Sequence, residues 1–246
     1  KALPDEIIDG LLFDAERYLH GERDTAFSDH LNTILSSPSA SYIVQGDYLS
    51  LQMDFARSFI RHPVLPRIAS VFCGESTIRL FHDQLIVKLP GGTEMVSAVG
   101  WHSDKSYWKS CTSTRMLTAW VALHDMNIAM GPLSVWDKSH VWDYEDNYQT
   151  FAETNLYGLE EQFTRKGSIP QIVNICLEKG QFSFHHCRLI HGSYPNRSNK
   201  ARFAYAIHYQ DSTNLFNPTN SVSGRTGHIN DLLCNKSPSG YPDYAD

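Results

Sequence analysis

Cysteine is scarce in this chain of 246 residues: five in all, Cys73, Cys111, Cys176, Cys187 and Cys234. The number is odd, the spacing is irregular and no C-x-x-C occurs. That argues against a disulfide scaffold, and a reducing, cytoplasmic setting is expected. No stretch approaches the roughly 18 consecutive apolar residues of a membrane span. No basic, apolar leader is visible at the start, which is Lys1 rather than Met. Positive charge is also short: 21 Lys and Arg against 27 Asp and Glu leave a net −6. That disfavours a nucleic-acid binder, which carries a basic face. An anionic small molecule stays possible, because one local Arg or Lys can hold it. Internal repeats and domain linkers are absent too, and oligomeric state is not legible. What is present is 41% hydrophobic and 12% aromatic residues, enough to build a core at this length and to exclude global disorder.

One domain spanning residues 1–246 is the economical reading. Residues 1–75 look mostly helical. Pro4-Asp5-Glu6 opens a helix whose Ile7, Ile8, Leu11, Leu12 and Ala15 form one apolar stripe. Further helices are expected over 27–35, 48–60 and 66–72. From Thr77 the texture becomes strand-like, over 77–81, 83–88, 116–123, 133–136, 171–177, 181–184 and 202–209. Many short strands punctuated by Gly, Pro and Asn suggest a sandwich or jelly roll over 77–210. Residues 140–170 are polar and aromatic without a clear period, as in a lid. The tail, 214–246, is rich in Ser, Asn, Pro and Gly and reads as surface wrapping.

The chemistry concentrates at His102-Ser103-Asp104 and in the stretch from His185 to Ser193. In extended backbone, residues i and i+2 share a side, so His102 and Asp104 converge. A second histidine brought beside them would complete the two-histidine, one-carboxylate set that leaves one face of a non-haem iron open. Alone, H-x-D also fits a surface loop with two polar residues. Arg202 enters the apolar strand 203–207, where a cation needs an anion to offset its desolvation, and a planar guanidinium suits a carboxylate. Ser193 shares the face of His191. By strand parity His185 and Cys187 would share it too, which leaves open an alternative ligand role for His185. A zinc site from these residues lacks a second ligand pair. His185 and His186 fit supporting or packing roles, and His124, His140 and His208 structural ones. Arg79, Arg115, Arg165 and Arg188 are unassigned cations that could read an anionic group on a substrate.

Five segments together resemble the phytanoyl-CoA dioxygenase family of Fe(II)/2-oxoglutarate oxygenases. They are Trp101-His102-Ser103-Asp104; Leu117-Thr118-Ala119-Trp120-Val121-Ala122-Leu123; Gly131-Pro132-Leu133; Ser139-His140; and Phe184-His185-His186 leading to His191-Gly192-Ser193, Pro195-Asn196 and Arg202. The likeness covers about residues 83–210 (roughly half the chain). It implies a mainly β protein with flanking helices around a double-stranded β-helix, a distorted jelly roll. It implies His102, Asp104 and His191 as the catalytic iron ligands, and Arg202 as the partner of the distal carboxylate of 2-oxoglutarate. Ser193, Trp120, Gln84 and Lys88 are implied as cosubstrate contacts, with Tyr107 and Trp108 placed to line a substrate pocket or simply to pack in the core.

The implied reaction consumes O2 and 2-oxoglutarate, releases succinate and CO2 and hydroxylates a small molecule, with ascorbate as a stimulant. Desaturation and ring formation are variants of it. Halogenating relatives replace the ligand carboxylate with a small residue, so Asp104 favours hydroxylation. Two segments depart from the family pattern, Trp136-Asp137-Lys138-Ser139-His140 and Met130-Gly131. Both lie near the expected lid and bear on the substrate. The competing readings are a non-catalytic, regulatory jelly roll that keeps a metal or ligand pocket, and a cupin-like metal enzyme without cosubstrate. The presence of His102, Asp104, His191 and Arg202 argues against the first, and Arg202 against the second.

Overall fold

A computed structural model describes residues 3–35, 42–75, 77–91, 97–143, 151–165, 167, 169–218 and 228–245. The chain opens with α1 (Asp5–Leu19), α2 (Asp29–Leu35), β1 (Ile43–Asp47), α3 (Leu49–Gln52), α4 (Asp54–Ile60) and α5 (Val64–Cys73). Then come β2 (Ile78–Lys88), β3 (Val99–His102), α6 (Asp104–Tyr107), β4 (Leu117–Ala122) and β5 (Leu133–Trp136). After α7 (Leu156–Arg165) follow β6 (Ile172–Ile175), β7 (Phe182–His186), β8 (His191–Ser193), β9 (Arg202–Asp211) and α8 (Ile229–Leu233). The strands form two antiparallel sheets, a larger one in the order β1-β2-β9-β4-β7 and a smaller one in the order β3-β8-β5-β6. This is the jelly roll expected from the strand pattern.

The period of two along the strands sets the layers. On β4, Leu117, Ala119 and Val121 face outward. They join Leu85 and Val87 of β2 and Tyr205, Ile207 and Tyr209 of β9 in one core with the N-terminal helices. α1 contributes Ile8, Leu11 and Ala15, all fully buried, to the same core. Ile8 and Leu11 each contribute about 1.5–3 kcal/mol on leaving water. The alternate residues face the space between the sheets. There Ile86, Trp120, Ala122, Ala204 and Ala206 meet Leu133 of β5 in a second core. The inward positions also carry Gln84, Lys88, Thr118, Arg202 and His208, because they share parity with these apolar residues.

Several elements differ from expectation. The N-terminal portion contains a strand, β1, paired with β2. The helix expected over 48–60 is two helices broken at Met53, whose backbone is extended. The aperiodic segment 140–170 includes α7, whose Leu156 and Phe163 pack on Trp101 and Trp136 of the smaller sheet; residues 144–150, 166 and 168 of that expected lid lie outside the described residues. The tail is more than wrapping. Asn230, Asp231 and Tyr244 are buried, and Tyr244 packs edge-on against Phe81.

Candidate functional site

Short strands of the smaller sheet deliver the two histidines. His102 ends β3 and His191 begins β8, and the two are register partners. The turn before His191 is anchored at Ile190, which donates its N–H to Ser139 Oγ at 2.8 Å and whose carbonyl accepts from Trp136 N. Gly192 follows because no side chain fits there; a Cβ would stand 2.7 Å from the Val99 carbonyl oxygen. Asp104 lies just beyond β3, in the first turn of α6. One ligand atom from each of His102, Asp104 and His191 lies within 4.8 Å of the others, and all three residues are buried.

The tautomers suit a metal. His102 Nδ1 lies 2.7 Å from the Gly100 carbonyl and His191 Nδ1 lies 2.9 Å from the Leu189 carbonyl. A proton at each Nδ1 satisfies those contacts and leaves the Nε2 lone pairs bare. Burial lowers the pKa of both rings, and for His191, held well below the usual range, the neighbouring His102 adds to it. Both directions favour the neutral imidazole form that a metal ligand needs. Burial pushes Asp104 upward, but His191 and His185 outweigh it and hold the carboxyl well below the usual carboxylate range. Two neutral imidazoles and one carboxylate fit a divalent iron with one face left open.

The larger sheet closes the site from the opposite side. His82, His208, Thr118 and His185 occupy one cross-strand row over β2, β9, β4 and β7. Thr118 Oγ1 donates to Asp104 Oδ2 at 2.7 Å and lies 2.8 Å from His208 Nδ1. Burial drives His208 down to about 3, so it is neutral and acts as a donor to Thr118. Neither Thr118 nor a site role for His208 stands out in the sequence. The usable signal was a hydroxyl and an imidazole at inward parity in otherwise apolar strands.

Of the expected cosubstrate residues, Gln84, Trp120, Ser193 and Arg202 line the same pocket as the triad, and Lys88 reaches it through Ser193. Lys88 and Arg202 are register partners and are 0% and 1% exposed. Neither forms a salt bridge among the described residues. Arg202 Nη1 donates to the Gly131 carbonyl at 2.5 Å, its Nε has no hydrogen-bond partner, and its guanidinium carbon is 5.2 Å from the Trp120 ring. Lys88 Nζ donates to Ser193 Oγ at 2.5 Å and to the Tyr194 carbonyl at 2.7 Å. Burial lowers Arg202 to about 10; burial and then the Arg202 charge hold Lys88 well below the usual lysine range. Two buried cations and an orphaned guanidinium N–H fit a carboxylate ligand. Gly131 is required: its φ is +60°, and a Cβ would lie 2.1 Å from the Tyr194 carbonyl oxygen.

Gln84 lines this pocket and donates to Asp47 Oδ1 at 2.6 Å. Tyr107 and Trp108 line an adjoining pocket that opens from His102 and Asp104 toward Asp47, His82 and His228. Tyr107 Oη accepts the Phe151 N–H at 3.1 Å. Trp108 is also a core residue, packed on Phe81 at 5.3 Å. Cys187 departs from its expected place: it is buried with Phe81, Trp108 and Met116, with its thiol on the Thr114 carbonyl, away from the triad. His185 does meet His191, but across the two sheets rather than along one strand face, with ring centroids 4.5 Å apart. Arg79 donates to the carbonyls of Asp211 and Asn214, and Arg115 pairs with Glu75, so neither points into the pockets.

The sequence model of the phytanoyl-CoA dioxygenase (PhyH) family matches residues 23–204. The peroxisomal phytanoyl-CoA dioxygenase of Bos taurus is 27% identical over 182 residues, covering 70% of this chain and 52% of that protein. The chain thus spans about half the length of that relative. Among solved structures, the epimerase SnoN in complex with Fe3+, alpha ketoglutarate and nogalamycin RO is 21% identical with a TM-score of 0.68, covering 98% of this chain and 86% of that one. The non-heme alpha ketoglutarate dependent carbocyclase SnoK from nogalamycin biosynthesis is also 21% identical with a TM-score of 0.68, covering 88% and 79%. At these identities the structural likeness speaks for a shared fold.

Proposed function

Since the chain belongs to the phytanoyl-CoA dioxygenase family, we propose that it is an Fe(II)- and 2-oxoglutarate-dependent dioxygenase, folded as one domain, that hydroxylates an unactivated C–H bond of a small molecule. One observation carries the reading: a buried two-histidine, one-carboxylate cluster shares a pocket with the buried Arg202, whose register partner Lys88 is buried beside it, and neither cation has a carboxylate partner among the described residues. In this reading His102, Asp104 and His191 hold the iron through bare Nε2 atoms and a carboxylate oxygen. Arg202 takes the distal carboxylate of 2-oxoglutarate, Lys88 and Ser193 support it, and Trp120 and Gln84 wall the pocket. When bound, iron and 2-oxoglutarate supply the activation of O2, with succinate and CO2 released, and ascorbate keeps the iron reduced. The chain's own residues orient the cosubstrate and exclude water from the inner face of the larger sheet.

The adjoining pocket takes the substrate, with Tyr107, Trp108 and Phe151 as aromatic walls. Among the described residues no Lys or Arg lines it. That favours a compact molecule over an acyl-CoA thioester, whose phosphates call for cations. Among the described residues no helix is long and apolar enough to cross a membrane; the cytoplasmic setting in this reading rests on the five irregularly spaced cysteines.

The test is succinate release from 2-oxoglutarate with Fe(II), O2 and a panel of metabolites and cyclic natural products, with each product analysed for inserted oxygen. Stimulated succinate release with an 18O2-labelled hydroxyl supports hydroxylation. Because an epimerase and a carbocyclase share this fold, stimulated release without oxygen insertion would replace hydroxylation with one of those outcomes. Failure to bind 2-oxoglutarate in the presence of Fe(II) would reject the enzyme reading.

A further inference from the structure

Asp104 turns its two oxygens to different surroundings. Oδ1 stands 3.6 Å from His191 Nε2, on the side where the ligand atoms converge. Oδ2 accepts the Thr118 hydroxyl at 2.7 Å and stands 3.4 Å from His185 Nε2. His185 is 5% exposed and lines the pocket of the triad, and neither ring nitrogen has a hydrogen-bond partner. A buried imidazole left this way forfeits hydrogen bonds that it would make in water, so its retention calls for an explanation. Its place follows from the sheet register. His185 is opposite Thr118 across β7 and β4, so the two side chains rise together toward the same carboxylate oxygen.

We propose that His185 is a positioning residue whose Nε2–H joins Thr118 in holding Asp104 Oδ2 away from the metal, so that Asp104 binds through one oxygen only. The inference rests on the reading of His102, Asp104 and His191 as metal ligands. A carboxylate held by one donor can pivot about it, whereas two donors on one oxygen define its plane. A pivoting Asp104 can offer both oxygens to the metal and so fill a position that the cosubstrate or O2 requires. His185 removes that option without touching the metal.

The experiment titrates metal-free protein with Co(II), followed by the visible absorption of the bound ion, with and without 2-oxoglutarate. His185→Phe keeps a ring of similar volume and removes the donor; His185→Gln keeps an N–H donor. The expected result is Co(II) binding weakened about tenfold to a hundredfold in His185→Phe, with an altered absorption spectrum. His185→Gln recovers most of the affinity and the wild-type spectrum, while the metal-free variants keep the wild-type denaturation midpoint. Wild-type affinity and spectrum in His185→Phe overturn the proposal, as does a Gln variant as impaired as the Phe variant. If His185→Phe does not fold, the same comparison between His185→Leu and His185→Gln decides. A wild-type protein that leaves Co(II) unbound overturns the metal reading itself, a result distinct from equal binding by wild type and variant.

Discussion

Lys88 and Arg202 face each other across β2 and β9 as register partners, two buried cationic side chains on the inner surface of one sheet. Like charges opposite one another destabilise a sheet, and burial disfavours each further. The arrangement stores a demand for negative charge, which a dicarboxylate meets.

Arg202→Ala is expected to raise the KM for 2-oxoglutarate by at least about a hundredfold, since a buried ion pair that loses one partner costs about 3–5 kcal/mol. Arg202→Lys recovers little, because an ammonium cannot present the planar fork. Steady-state kinetics with 2-oxoglutarate varied checks both; an unchanged KM in Arg202→Ala would remove Arg202 from the cosubstrate site.

Replacing Asp104 with Ala removes the only carboxylate of the triad. Calorimetric titration with Fe(II) under anaerobic conditions is expected to show binding weakened by at least about a hundredfold. Retained tight binding would show that the ion sits elsewhere.

Thr118→Val keeps shape and removes a hydroxyl that serves Asp104 and His208 together. A buried donor left unanswered costs about 1–3 kcal/mol, so the denaturation midpoint of the metal-free variant should fall accordingly. An unaltered midpoint would show that His208 finds another partner.

Acid should destabilise the metal-free protein. Burial pulls His208 from 6.5 to about 3 in the folded state. Its depressed pKa means that the unfolded chain takes up a proton that the folded chain refuses. The stability it contributes is complete above pH 6.5 and is lost as pH falls toward 3, at up to about 1.4 kcal/mol per pH unit. His228, held well below its usual range by burial, acts in the same direction. Urea midpoints measured from pH 7.5 to 5 should fall, and less steeply in His208→Gln. A flat profile in the wild type would contradict the buried, neutral assignment.

The sequence exposed the triad and the jelly roll because each leaves a local mark. His102 and Asp104 are two residues apart, and short apolar runs between turn residues read as strands. Thr118 and His208 leave no such mark. Their meaning lies in a cross-strand row that joins residues some ninety positions apart in the chain. The parity argument linking His185, Cys187 and His191 failed because the chain turns between β7 and β8 and passes from one sheet to the other. Cys187 falls in that turn and is carried into a different core. β1 escaped notice because Gln45, Gly46 and Asp47 interrupt its apolar pattern. The spacing of Leu156, Leu159 and Phe163 in α7 was helical all along, obscured by the polar residues around it.

β3 and β8, the strands that hold His102 and His191, span four and three residues, with an irregular register between Val99 and His102. So brief a ladder gives little cohesion of its own, and an ion shared by both strands would act as a rivet between distant stretches of chain. Resistance to proteolysis around residues 99–104 and 189–193 should then climb with the logarithm of free metal concentration, as for any ligand that binds only the native fold.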